Sequence, residues 1–224
     1  MPRSNPLNDR LFRARQKAQQ VIRFVRGQNR PLIALAKTIH AQMHTRGCYV
    51  HAYGHVEGYE NIAVEGELRI GIRAPGFQSG KDCTLLLVRG RLEVAGSVSI
   101  GRGSRVEIAK GALCRLTNCN LNGASDLVIR HGLEIGSDSA ISWGCQIMDD
   151  DWHNLDYPGR RARDPRIVLG EHVWVGSHVL IHKGTQIGDG CVVAAGSVIS
   201  GVFPSGVLIG GNPARIVRED VTWS

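Results

Sequence analysis

Aliphatic residues recur at every sixth position from Leu169 through Val175, Ile181, Ile187 and Val193 to Ile199. A helix buries residues three and four apart and a half-buried strand buries every second one, so this beat matches neither. Four places after the aliphatics stand Val173, Val179, Thr185, Cys191 and Ser197, and a compact residue (Gly170, Gly176, Gly188, Ala194) directly follows most of them. Compact residues suit corners. A corner every six residues predicts a coil with three flat faces, in which residues about 18 apart lie over one another at strand spacing, roughly 4.8 Å.

The same beat runs through Ile129, Ile135, Ile141 and Ile147, and more faintly through Val64, Ile70, Val88, Val94, Ile100 and Val106. Residues 47–210 therefore read as an all-β domain, a β-helix of hexapeptide repeats. Upstream, Leu7, Leu11, Ala14, Ala18, Val21 and Val25 alternate spacings of four and three, which predicts an amphipathic helix over residues 7–25. A second helix is expected over 31–44, with Pro31 in its first turn. Together they make an N-terminal segment, 1–46, that caps the coil. Residues 211–224 read as a C-terminal tail.

The beat fails once. After Ile147 the phase asks for an aliphatic at position 153, where the chain has His153 inside "MDDDWHNLDYPGRRARDPR". A loop at about 154–166 leaves the coil here and returns before Leu169. Breaks in a regular pattern are where function concentrates. Asp149, Asp150 and Asp151 read as a solvated loop edge, with one carboxylate available to orient His153. The loop arginines Arg160, Arg161, Arg163 and Arg166 read either as solvated surface or as partners for a phosphate on the acceptor.

Composition narrows the picture. At 224 residues one main domain is expected, and 28 glycines against four phenylalanines suit many tight turns. The net charge of +7 sits entirely in residues 1–30, where Arg3, Arg10, Arg13, Arg15, Lys17, Arg23, Arg26 and Arg30 face only Asp9. The rest of the chain balances, so no nucleic-acid partner is expected. The basic arm leaves open a peripheral membrane contact through residues 1–30, against the alternative that its apolar stripe covers the open end of the coil. No C-x-x-C pair and no apolar run of spanning length occur, which points to a reducing cytoplasm, with any membrane association at its inner face.

The stretches "SWGCQIMDDDWH", "VWVGSHVLIHKGTQIGDG" and "GGNPARIV" resemble those of the hexapeptide-repeat acyltransferases, in the branch that acetylates sugars: galactoside, maltose and polysaccharide O-acetyltransferases. The resemblance implies a left-handed parallel β-helix, a homotrimer with sites between subunits, and acetyl-CoA bound along the groove between neighbouring prisms. His153 matches the catalytic base, an imidazole able to take a proton from a sugar hydroxyl near neutral pH. The backbone N–H of Ser177 matches the oxyanion donor, and Trp174 a tryptophan beside the reacting thioester. Ala195 and Ser200 match the contact line of the pantetheine arm, and Arg215 and Arg218 are placed for the coenzyme's phosphates. Some relatives carry lysine after the Ser200 position; here it is Gly201, so Lys183 joins the phosphate candidates.

The expected reaction is direct O-acetylation of a sugar or glycan precursor. N-acetylation of an amino sugar and a silent trimeric scaffold are the alternatives. His172 and His178 fall on an outward phase. His182 shares one phase with the histidines of β-helix zinc enzymes, but its companion position is Ser177, so no metal is expected.

Overall fold

In the computed structural model, residues 6–26, 30–73, 79, 81–153, 155–156, 158–159 and 163–224 are described, with side chains from residue 12 onward. Arg160 and Arg161 lie outside them, as do the side chains of Leu7 and Leu11. Short strands stack in parallel on three faces of a prism. The first face carries Leu113–Thr117, Gly132–Ile135, Ile167–Leu169, Gln186–Ile187 and Val202–Phe203. The second carries Asn120–Leu121, Ala140–Ile141, Trp174–Val175, Val192–Val193 and Leu208–Gly211. The third carries Arg105–Ile108, Asp126–Ile129, Gln146–Met148, Leu180–His182 and Val198–Ile199.

The six-residue beat is the core. Leu169 stacks on Ile187, Val175 on Val193 and Ile181 on Ile199, each pair 18 residues apart. All six are at most 2% exposed. Coils meet too closely there for a side chain at every corner: a Cβ on Gly176 would stand 2.7 Å from the Ala195 nitrogen of the next coil. The earlier coils are longer. Leu121 stacks on Ile141 20 residues on, and Ile100 on Leu121 21 residues on, which explains the fainter beat. There Ile62–Ile72 and Arg91–Gly101 each run unbroken across two faces, bending at Gly66 (φ 131°) and Gly96 (φ 68°).

The N-terminal edge is closed by side chains in place of a strand. Helix α2 (Pro31–His44) sets Thr38 against Val50, donating to its carbonyl at 3.2 Å and accepting its N–H at 3.1 Å. Gln42 repeats the arrangement with the Cys48 carbonyl and the Gly47 N–H. Strand edges left bare would template pairing with another chain. Helix α1 (Pro6–Arg26) packs mainly through its last turns, where Val25 is buried and Phe24 lies 5.7 Å from Tyr49. Ala14 and Ala18 of its predicted stripe are exposed. No helix among the described residues is long and apolar enough to cross a membrane. At the other end, residues read as a tail form the strand Ala214–Arg218, antiparallel to Leu208–Gly211.

Buried thiols fill inward positions of the coil, within strands (Cys48, Cys114) as well as beside turns. Cys48, Cys114, Cys119, Cys145 and Cys191 are all buried, and burial pushes Cys48 up to about 12, so these act as apolar filler.

One buried polar cluster gives the fold a pH dependence. His51 accepts the Tyr53 N–H on Nδ1 at 3.2 Å and lies 2.5 Å from Arg102 Nη2 through Nε2. Burial first, then the charges of Arg102 and Lys37, lower its pKa from 6.5 to about 4. The unfolded chain therefore binds the proton first, and stability falls as pH drops from 6.5 towards about 4. A His51→Gln variant is expected to lose less Tm than the parent between about pH 7 and about pH 5. Equal losses in both would remove His51 from the account.

Candidate active site

The break in the beat is held by the acidic run. Asp149, expected at a solvated edge, is fully buried. Its carboxylate accepts the backbone N–H groups of Arg130 (2.7 Å), His131 (2.8 Å) and Gly132 (2.7 Å), which turn the corner of the coil. A carboxylate is stable there because three donors replace its water. Asp150 takes the Trp152 N–H at 2.7 Å and pairs with Arg130 and His131. The Trp152 N–H and the neighbouring cations hold its carboxyl below the usual range. Asp151 pairs with Lys183 Nζ at 2.5 Å, in the coil above. All three aspartates therefore anchor the root of the loop.

His153 projects from that root, exposed to solvent. Its Nδ1 lies 3.2 Å from the Asp151 carbonyl oxygen. A carbonyl only accepts, so Nδ1 carries the proton and Nε2 of the neutral ring presents a lone pair. Asp151 acts twice, its side chain tied to Lys183 and its main chain fixing the tautomer. Lys183, a phosphate candidate from sequence, is engaged in that tie.

The other candidates lie elsewhere on the coil. Trp174 stands on the second face, half exposed, with Nε1 donating to Ser142 Oγ at 3.4 Å. Ser177 occupies the corner between the second and third faces. Its carbonyl accepts the Gly196 N–H at 2.9 Å, which stacks the Ala195–Gly196 turn upon it. Among the described residues the Ser177 N–H meets no acceptor. His153 and Lys183 mark the next corner, between the third and first faces, and Ser200, following Ile199, lies one coil above His182. From Ser177 to Lys183 is six residues of largely extended chain, roughly 15–20 Å. One prism thus keeps the Ser177 turn and the root of the His153 loop at opposite ends of a face. Among the described residues no hydrogen bond or ion pair joins His153 to Trp174 or Ser177.

Arg215 and Arg218 are exposed on the terminal hairpin, opposite Gly210 and Leu208. His178 takes a left-handed corner (φ 57°) and donates its N–H to the Trp143 carbonyl. His172, expected to be merely surface, stacks on Trp223. Sequence reasoning missed Asp149 and Trp223. The available signal for Asp149 was an acid two places past an inward aliphatic, where the chain must turn; Trp223 lies outside any period. Among the described residues no group of three His, Cys, Asp or Glu side chains could hold a metal ion.

These coils, corners and core define a hexapeptide-repeat β-helix. Residues 166–201 match the family described as Bacterial transferase hexapeptide (six repeats). It is 39% identical over 136 residues to the "Uncharacterized 24.8 kDa protein in cps region" of Klebsiella pneumoniae, covering 60% of this chain and 61% of that one. It is 45% identical over 67 residues to the galactoside O-acetyltransferase of Escherichia coli K12, covering 30% and 32%. The chain thus spans less than two thirds of these relatives' length. The crystal structure of the polySia-specific acetyltransferase NeuO shares the fold, a left-handed β-helix, with a TM-score of 0.59 at 20% identity over 81% of this chain and 80% of that one.

Proposed function

We propose that this chain transfers an acetyl group from acetyl-CoA to a hydroxyl of a sugar or glycan precursor, with His153 as general base. The observation that carries the reading is the Asp151 carbonyl on His153 Nδ1, which leaves Nε2 free to accept a proton on a loop root anchored by three aspartates. Bound acetyl-CoA would supply an acetyl group already activated as a thioester. His153 Nε2 takes the proton of the acceptor hydroxyl as its oxygen becomes nucleophilic. The unengaged Ser177 N–H donates to the oxygen that gains charge, where a fixed donor requires no reorganisation. Trp174 walls the site and excludes water. Ala195 and Ser200, both exposed, line the pantetheine arm, and Arg215 and Arg218 meet the phosphates. In this reading Lys183 serves the loop. Cys145, in the "SWGCQIMDDDWH" stretch, is buried and its thiol is pushed up by burial, so that stretch offers no thiolate nucleophile, which favours direct attack.

Release of free thiol from acetyl-CoA, measured with and without a panel of sugar acceptors, tests the reading. Acceptor-dependent release supports it; its absence across hexose and amino-sugar acceptors would leave a scaffold.

The separation of the Ser177 turn from the His153 loop root on one prism supports a homotrimer, in which the base of one copy meets the oxyanion donor of the next. Light scattering should give a trimer, and co-purified mixtures of His153→Ala and Trp174→Ala subunits should exceed the activity of either variant alone. A monodisperse active monomer would refute the shared site.

A further inference from the structure

The end of the chain returns over the coil. Past the last strand the backbone reverses at Asp220 (φ 54°), and the Val221 N–H donates to the Gly206 carbonyl at 2.9 Å. Trp223 then reaches the corner of an earlier coil, where it is fastened at both ends. Its Nε1–H donates to the His172 carbonyl at 2.8 Å, and His172 Nε2–H donates to the Trp223 carbonyl at 3.0 Å. The two rings stack at 4.1 Å with 8° between their planes. His172 holds the left-handed conformation (φ 54°) of a coil corner, as His178 does six residues on (φ 57°).

The latch faces the candidate site. Trp223 lies 6.1 Å from Trp174 at a 45° tilt, while Ser142 Oγ takes Trp174 Nε1–H from the coil below. The exposed ring of Trp174 is thus fixed between its own strand stack and the returning strap. Aromatic pairs in tilted contact contribute beyond the area they bury.

We infer that Trp223 is a positioning residue of the acyl-donor site, holding the Trp174 ring in place through a strap latched on His172. The inference rests on the assignment of Trp174 to that site under the proposed function. It makes the last residues of the chain part of the donor site, and it gives His172 a role two residues before Trp174.

The experiment is calorimetric titration of the full-length protein with acetyl-CoA, alongside Tm. Trp223→Ala should weaken binding by roughly three- to tenfold. Trp223→Phe, which keeps a ring to stack, should stay closer to the parent. His172→Asn removes the stacking partner while tolerating the left-handed corner, and should reproduce the loss with Trp223 still present. A merely structural strap would lower Tm and leave the affinity of the folded protein unchanged. If the parent binds acetyl-CoA and both Trp223→Ala and His172→Asn bind it equally well, the inference is overturned. A parent that does not bind acetyl-CoA would sink the proposed donor site itself, and the inference with it.

Discussion

His153→Ala is expected to lower kcat for acetyl transfer by about 10²- to 10⁴-fold while leaving acetyl-CoA affinity close to that of the parent. The size follows from removing a general base while leaving the binding surface intact. The proton of the acceptor hydroxyl then has no acceptor but water, whereas the contacts proposed for the coenzyme lie on Trp174, Ala195, Ser200, Arg215 and Arg218. His153→Gln should be as inactive, because an amide cannot take the proton. Steady-state kinetics with a saturating acceptor, paired with calorimetric titration by acetyl-CoA, separates the two effects. A variant with near-parental kcat would remove His153 from the chemistry. One that lost affinity as strongly as rate would make it a binding residue.

Asp149→Ala carries the largest expected loss of stability, about 3 kcal/mol, or roughly 6–12 °C in Tm for a chain of this size. Its carboxylate satisfies three backbone N–H groups at 2.7–2.8 Å, and the Gly132 bond is fully buried. Truncation leaves those donors facing a small cavity at the point where the coil turns. Asp150→Ala offers the comparison. Its partners Arg130 and His131 are exposed, so its loss should stay within about 1 kcal/mol. Thermal unfolding of both variants by circular dichroism decides it, and equal small shifts would show that the buried carboxylate does not hold the corner. Because the His153 loop springs from that corner, surviving Asp149→Ala protein should also be slow.

The two predictions draw on features of different legibility. The core of the later coils could be read directly, because every inward position from Leu169 to Ile199 repeats at six and stacks at 18. The earlier coils blurred because their corners hold extra residues, and because Ile62–Ile72 and Arg91–Gly101 pass a corner without leaving the extended conformation. The break at His153 was also legible, since a failed beat shows at once. What anchors it was hidden. The three donors on Asp149 come from residues 17 to 19 places earlier, brought close only by stacking of the coil. Only its place two residues past the inward Ile147 marks Asp149, within "MDDDWH", as the aspartate that turns inward.

Other contacts were hidden for the same reason. Lys183 meets Asp151 only because Met148 stacks on His182 across the inserted loop. Trp223 meets His172 across 51 residues without a repeat to announce it. The helical cap was predicted as an apolar stripe, yet much of its work is polar: Thr38 and Gln42 supply hydrogen bonds that the first coil would otherwise lack. Periodicity reports burial, and these are pairings between groups whose spacing in sequence is arbitrary.

The most direct test of the central claim is chemical analysis of the acceptor after incubation with acetyl-CoA and the full-length protein. The expected product carries one added acetyl group per modified sugar, removed by mild alkali as an ester is, and is absent when His153→Ala replaces the parent. An alkali-stable amide on an amino sugar would contradict O-acetylation, and an unmodified acceptor across neutral and acidic glycans would contradict acetyl transfer altogether.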